Sequence, residues 1–225
     1  MAADLLSSWT ADGVPARPSR DALLAATRAH DCGWAEEDDA PTVNPETGGP
    51  CDFMNLPVAR RQAVWTRAVQ MLAGQPVVAA LVAHHAITSY ARYDRAPEWR
   101  DFFRVLSRER DSRIAELATR ASGSAFDSFL RDYASLRAVD LISLALCHGW
   151  QDRFEVDYYK GEPAGPDLTL TPDPFGGETV AWRVPARRLA RGAYASDAEL
   201  QQAVAAAPVE WLDGRVSGRP EPLPS

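Results

Sequence analysis

The sequence predicts a mainly α-helical protein, a helical bundle with a small antiparallel β element near its C-terminus. Apolar residues recur at helical spacing in successive segments between Met1 and Trp150. Prolines or small capping residues open most of these segments, and glycines close them. Beyond Trp150 the pattern turns to alternation, through Phe154, Val156 and Tyr158, then Leu168 and Leu170, then Val180, Trp182 and Val184.

Leu5, Leu6 and Trp9 give Met1 to Thr10 a helical face, with Gly13 as its stop. Pro15 and Pro18 mark a connection, and Ser19 is a good N-cap for a helix reaching His30. Leu23, Leu24 and Thr27 form its inner side, and Gly33 supplies the stop. From Ala35 to Leu56 the chain is acidic and rich in proline and glycine, which predicts a long loop of the kind that covers a site. A helix from Pro57 to Ala73 turns Val58, Val64, Trp65, Ala68 and Leu72 to one side. The next, from Pro76 to Tyr93, is too apolar around its girth to lie on a surface. Pro97 begins a helix whose inner face carries Phe103, Leu106, Ile114 and Leu117, broken at Gly123. Ser124 and Asp127 resemble a capping box for a helix through Phe129, Leu130, Tyr133, Leu136 and Leu144. Asp197 to Ala206 reads as a short helix, and the proline-rich end after Ser217 as a frayed tail. The expected organisation is a helical domain over 1–150 with a covering loop at 35–56, a small α+β extension packed on it over 151–216, and a tail over 217–225.

Bulk properties restrict function. A net charge of -7 repels phosphate backbones, so nucleic acid is not an expected partner. A small phosphorylated substrate stays compatible with that charge where a metal supplies positive charge locally. Cys32, Cys51 and Cys147 are odd in number and lack a C-x-x-C pair, which disfavours both a disulfide framework and a zinc ribbon. Three thiols fit a reducing cytoplasm. The start lacks the basic region of a signal peptide, and Pro76 to Ala83 is too short to span a bilayer. The expected location is therefore cytoplasmic, without a membrane partner.

Four groups of residues could carry chemistry. His30 and Asp31 adjoin at a helix end and offer one nitrogen and one oxygen, a mixed set suited to Mn, Fe, Zn or Ni. The same pair also reads as a C-terminal histidine against the helix dipole. Asp140 shares the apolar face of its helix with Leu136, Ser143, Leu144 and Cys147, so it needs a cation, whether a metal or a structural Arg or His. His84 and His85 lie in the apolar helix, where one of them can point into the core. His148, beside Gly149, reads as a C-terminal cap, and Trp34, Trp65, Trp99 and Trp150 as packing residues. No G-x-S-x-G elbow, P-loop lysine motif or G-x-G-x-x-G occurs.

Several of these residues belong to longer strings: His30-Asp31-Cys32-Gly33-Trp34, the run from Ala40 to Phe53, Leu81-Val82-Ala83-His84-His85, Val139 to Leu144, and Pro172-Asp173-Pro174-Phe175. Together they resemble the bacterial domain-of-unknown-function family 3891, itself similar to distant members of the HD (His-Asp) superfamily of metal-dependent phosphohydrolases. The resemblance covers nearly the whole chain and implies an HD-like helical bundle. It makes His30-Asp31 the signature pair and Asp140 the distant carboxylate. His85, better aligned than His84, becomes a further ligand. In such enzymes the divalent metal activates water for attack on phosphorus. HD proteins also carry a first histidine upstream of the pair, and the helix from Met1 to Trp9 has none. The expectation is that the chain given starts a few residues late or that the position has been lost; an in-frame His codon upstream would support the first.

The leading expectation is a divalent-metal-dependent hydrolase of a small phosphorylated molecule, with His30, Asp31, Asp140 and His85 as metal and catalytic residues. A non-catalytic protein, in which these residues form a structural or ligand-binding polar network, is the second. A di-metal oxygenase is the third.

Overall fold

The computed structural model describes residues 1–118 and 125–221. In chain order the helices are α1 (Ala2–Ser7), α2 (Arg20–Ala29), α3 (Ala35–Asp39), α4 (Val58–Met71), α5 (Pro76–Ser89), α6 (Arg100–Ala118), α7 (Ala125–Cys147) and α8 (Asp197–Ala206). The strands are β1 (Phe154–Val156), β2 (Tyr159–Ala164), β3 (Asp167–Thr171), β4 (Thr179–Arg187) and β5 (Val209–Gly218). The expected break at Gly123 and the capping Ser124 lie outside the described residues, as do the Leu117 side chain and the last four residues of the tail.

The fold is α/β, which corrects the expectation of a mainly helical, all-α bundle with a small antiparallel element. The strands form one five-stranded sheet in the order β1-β2-β3-β5-β4. It is mixed, because β3 and β5 run parallel with Leu168 opposite Val216. The physical reason lies in β5. Alternation in sequence is a burial signal, and β5 buries only Val216 among its ten residues. Parallel pairing also joins strands far apart in sequence, which local periodicity does not register.

The chain divides into two compact units. The first comprises Met1–Ala29, Ile114–Val184 and the chain from Trp211 on. In it α1 packs on α2 and α7, burying Leu5, Leu6, Leu23, Leu136 and Ile142. Trp9 anchors this core to the sheet, edge-on to Tyr159 at 5.0 Å and to Phe175 at 5.6 Å. Arg17 binds it from one side. Its Nη1 donates to Asp132 Oδ1, Ser135 Oγ and the Arg131 carbonyl, each at 3.1 Å, and Nη2 donates to the Asp12 carbonyl at 3.0 Å. The Asp132 side chain is 4% exposed, so Arg17→Met strands a buried carboxylate. The expected cost is about 3–5 kcal/mol, read by urea denaturation.

Trp9, Asp12, Arg17, Ser135, Tyr158 and Tyr159 wall a cavity of about 290 Å³ in this unit. The Tyr158 hydroxyl donates to that of Tyr159 at 3.2 Å, which donates to Asp12 Oδ2 at 2.7 Å. Burial, and then the Asp12 carboxylate at the end of this chain, push the Tyr158 phenol up to about 12 and the Tyr159 phenol up as well. A phenol raised on folding contributes its full stability below the ordinary value of about 10 and loses it as pH climbs towards the folded value. Tyr159→Phe should therefore destabilise by about 1.5–3 kcal/mol at neutral pH. The difference from the wild type should shrink above pH 10, measured by urea titration at each pH.

The second unit comprises His30–Arg113 and Pro185–Glu210. Here α4 packs on α5 and on the 3-10 turn Cys32–Trp34. Val78 to Ala83, His85 and Ala86 are all buried, as the apolar girth of α5 predicts. Trp65, Tyr90, Trp99 and Phe102 form an aromatic cluster around its C-terminal end. The segment expected to be a plain loop contains α3 and a hairpin-like turn, in which the Asn44 N–H donates to the Gly49 carbonyl and the Gly48 N–H to the Asn44 carbonyl. Two contacts tie that turn down: the Val43 N–H donates to Asp197 Oδ1 at 2.7 Å, and the Tyr194 N–H to the Gly48 carbonyl at 2.8 Å. Among the described residues no helix is long and apolar enough to cross a membrane.

Candidate metal centre

Helix α2 ends at Ala29, and His30 and Asp31 occupy the turn that follows. Gly33 has no left-handed backbone, so it does not act as the αL stop that the sequence suggested. Its role is close approach. A Cβ there would stand 2.1 Å from the Val64 carbonyl oxygen. The missing side chain lets the turn lie directly on α4, where Arg67 Nη1 donates to the Gly33 carbonyl at 2.6 Å.

That contact sets His30 towards α5. His30 and His85 are buried, and their rings meet edge to face with centroids 5.4 Å apart. His85 also rests on Trp65, 5.5 Å between centroids. His30 Nε2 lies 3.1 Å from Asp31 Oδ2, while the Asp31 side chain is 61% exposed. The protein surroundings raise the Asp31 carboxyl, but the His30 hydrogen bond and the charges of His30 and His85 outweigh them and hold it below its ordinary value. Asp31 therefore stays ionised at neutral pH and serves as an acceptor for the imidazole.

His84 points elsewhere. Its Nδ1 is 3.2 Å from Arg110 Nη1. An arginine only donates, so this nitrogen accepts and the ring is neutral. Burial, then the Arg110 charge, push its pKa down to about 4. His148 is exposed just past α7, where Gly149 turns left-handed at φ 61. Trp65 and Trp99 are buried packing residues, and Trp150 is 37% exposed.

Asp140 sits on α7, half-buried, and its backbone carbonyl accepts from Ser143 Oγ at 2.8 Å. His30 and His85 bring two imidazoles together within the second unit, whereas Asp140 belongs to the first. Two imidazole nitrogens and one carboxylate oxygen suit a borderline transition metal better than an all-oxygen ion such as Ca²⁺. Of the four sequence candidates, His30 and His85 face one another and Asp31 bonds to His30, while Asp140 lies in the other unit.

A buried charged residue of the second unit escaped the sequence reading. Arg61 falls within the apolar stripe of α4, one turn before Trp65, and is 8% exposed. The available signal was a cation at a helix position whose neighbours at i+3 and i+4, Val64 and Trp65, are core residues.

The chain belongs to the family described as Protein of unknown function (DUF3891), whose model matches residues 1–191. No curated protein and no solved structure matches it.

Proposed function

We propose that this member of the DUF3891 family is a divalent-metal-dependent hydrolase of a small phosphorylated substrate, with His30, His85 and Asp140 as the ligands of the ion. The buried, facing imidazoles of His30 and His85, 5.4 Å between centroids, support the reading most directly. Three protein donors leave coordination positions open, as in catalytic rather than structural sites. When bound, a Mn, Fe, Zn or Ni ion supplies the positive charge that polarises a phosphoryl oxygen. The chain's own residues set the stage for it. Buried rings keep the two imidazoles out of bulk water, and Asp31 orients His30 through its 3.1 Å contact, as carboxylates behind metal-binding histidines do. The similarity of the His-Asp pair and distant Asp140 to HD phosphohydrolases is what suggests phosphorus chemistry rather than another hydrolysis.

The test is elemental analysis of protein purified without chelator, followed by a screen of phosphomonoesters and nucleotides with the metal that is retained. Stoichiometric metal and hydrolysis lost on EDTA treatment are expected. Retained metal without turnover of any phosphate ester would defeat the hydrolase reading while leaving the site. The non-catalytic alternative draws on the same His30–Asp31 contact, which closes a polar network without an ion. It predicts a melting temperature indifferent to EDTA.

A further inference from the structure

The aromatic cluster of the second unit encloses a cation. The Arg61 guanidinium lies 5.7 Å from the ring centroids of both Tyr90 and Tyr93 and 5.4 Å from that of Trp99. Its Nε and Nη1 are buried without an acceptor. One turn along the same helix the Trp65 indole N–H donates to the Tyr90 hydroxyl, and its ring stands 6.4 Å from Tyr90. Phenol hydroxyls are the other polar groups here; hydrogen bonding from Arg61 holds that of Tyr93 below its ordinary value. Donors thus outnumber acceptors around a guanidinium that never loses its charge. Ring faces offset only part of the cost of burying such a charge unpaired.

We propose that this cage is an anion site, in which Arg61 takes a phosphate-type oxyanion on its Nε and Nη1 edge. A guanidinium edge matches two oxygens of a tetrahedral anion. Tyr93 is half-buried and belongs to the one-turn 3-10 segment Ala91–Tyr93, so it is the wall through which an anion enters. The site shares no residue with the metal ligands and stands or falls separately from them.

The test uses EDTA-treated full-length protein, so that no metal can hold the anion. Tryptophan fluorescence and melting temperature are followed against inorganic phosphate, with chloride at matched ionic strength as control. Saturable quenching at millimolar phosphate and a melting temperature several degrees higher are expected. Arg61→Met should lose both responses while melting in chloride no lower than the wild type, because it no longer buries an unpaired charge. Arg61→Lys, which keeps the charge but not the fork, should bind at least tenfold more weakly. A wild type that treats phosphate like chloride, an Arg61→Met that still responds, or an Arg61→Lys of undiminished affinity would overturn the assignment. A parallel titration with glycerol phosphate separates the sources. Tighter binding of the ester identifies a phosphorylated metabolite as the occupant, tighter binding of inorganic phosphate the free anion, and binding of neither overturns the proposal.

Discussion

Asp140→Ala is expected to abolish retention of a divalent metal. It removes the single carboxylate of the proposed ligand set and leaves the two imidazoles of His30 and His85. Even residues one step behind a metal ligand cost about 10–100-fold in affinity when mutated, so loss of a direct ligand should exceed about a hundredfold. Stability must be read alongside, because a half-buried carboxylate can hold its surroundings through its hydrogen bonds as well as through an ion. Asp140→Asn provides the control. It preserves the shape and one acceptor oxygen, should fold like the wild type, and should still fail to retain the metal. Metal content and a thermal melt on the same samples separate a lost ligand from a lost fold.

Gly33→Ala is expected to be the most destabilising small substitution near the site. The added methyl would meet the Val64 carbonyl oxygen at 2.1 Å, its carbon at 2.9 Å and the Ala68 Cβ at 3.0 Å. Two of these are backbone atoms in the middle of α4, which cannot turn aside as a side chain can. Overpacking of this kind costs about 1–3 kcal/mol and occasionally more, and a backbone obstacle places this case at the upper end. Because the turn that carries Gly33 begins at His30, metal retention should fall with it. Gly74→Ala is the matched control: nothing lies within 4 Å of its added Cβ. It should be neutral or stabilise by about 0.4–1 kcal/mol. Chemical denaturation of both variants measures the contrast.

The helices were legible because their signals are local. Ser196 caps α8 through a bond accepted from the Glu199 N–H, at the start of the Asp197–Ala206 helix that the sequence delimits. Pro76 opens α5, and Pro97 begins the 3-10 turn leading into α6. The fold class was not legible, because it rests on β5 and its parallel partner. Trp211 and Leu212 are exposed in that strand, so burial imposes no alternation on it. Gly33 shows a subtler limit. Its position after a helix suggests a left-handed stop, whereas the requirement comes from a neighbour some thirty residues away.

The candidate site was legible as residue types more than as geometry. Asp140 and the His84-His85 pair could be singled out because ionisable groups on apolar helix faces need partners, and His30 because it adjoins Asp31 at a helix end. The division of labour between His84 and His85 needed the structure: one bonds to Arg110, the other turns to His30. So did the placement of Asp31, which adjacency alone makes a ligand and the structure makes a partner of His30. Arg61 was hidden for the opposite reason. An arginine on a helix is ordinarily a surface residue, and the rings that enclose it come from one segment, Tyr90 to Trp99, distant from it in sequence.

Metal content measured on protein purified without chelator, together with its melting temperature before and after EDTA, tests the central claim most directly. The account predicts close to one equivalent of a Mn, Fe, Zn or Ni ion and a clear fall in melting temperature when it is removed. Less than about a tenth of an equivalent, with a melting temperature unmoved by EDTA or by added metal, would contradict it.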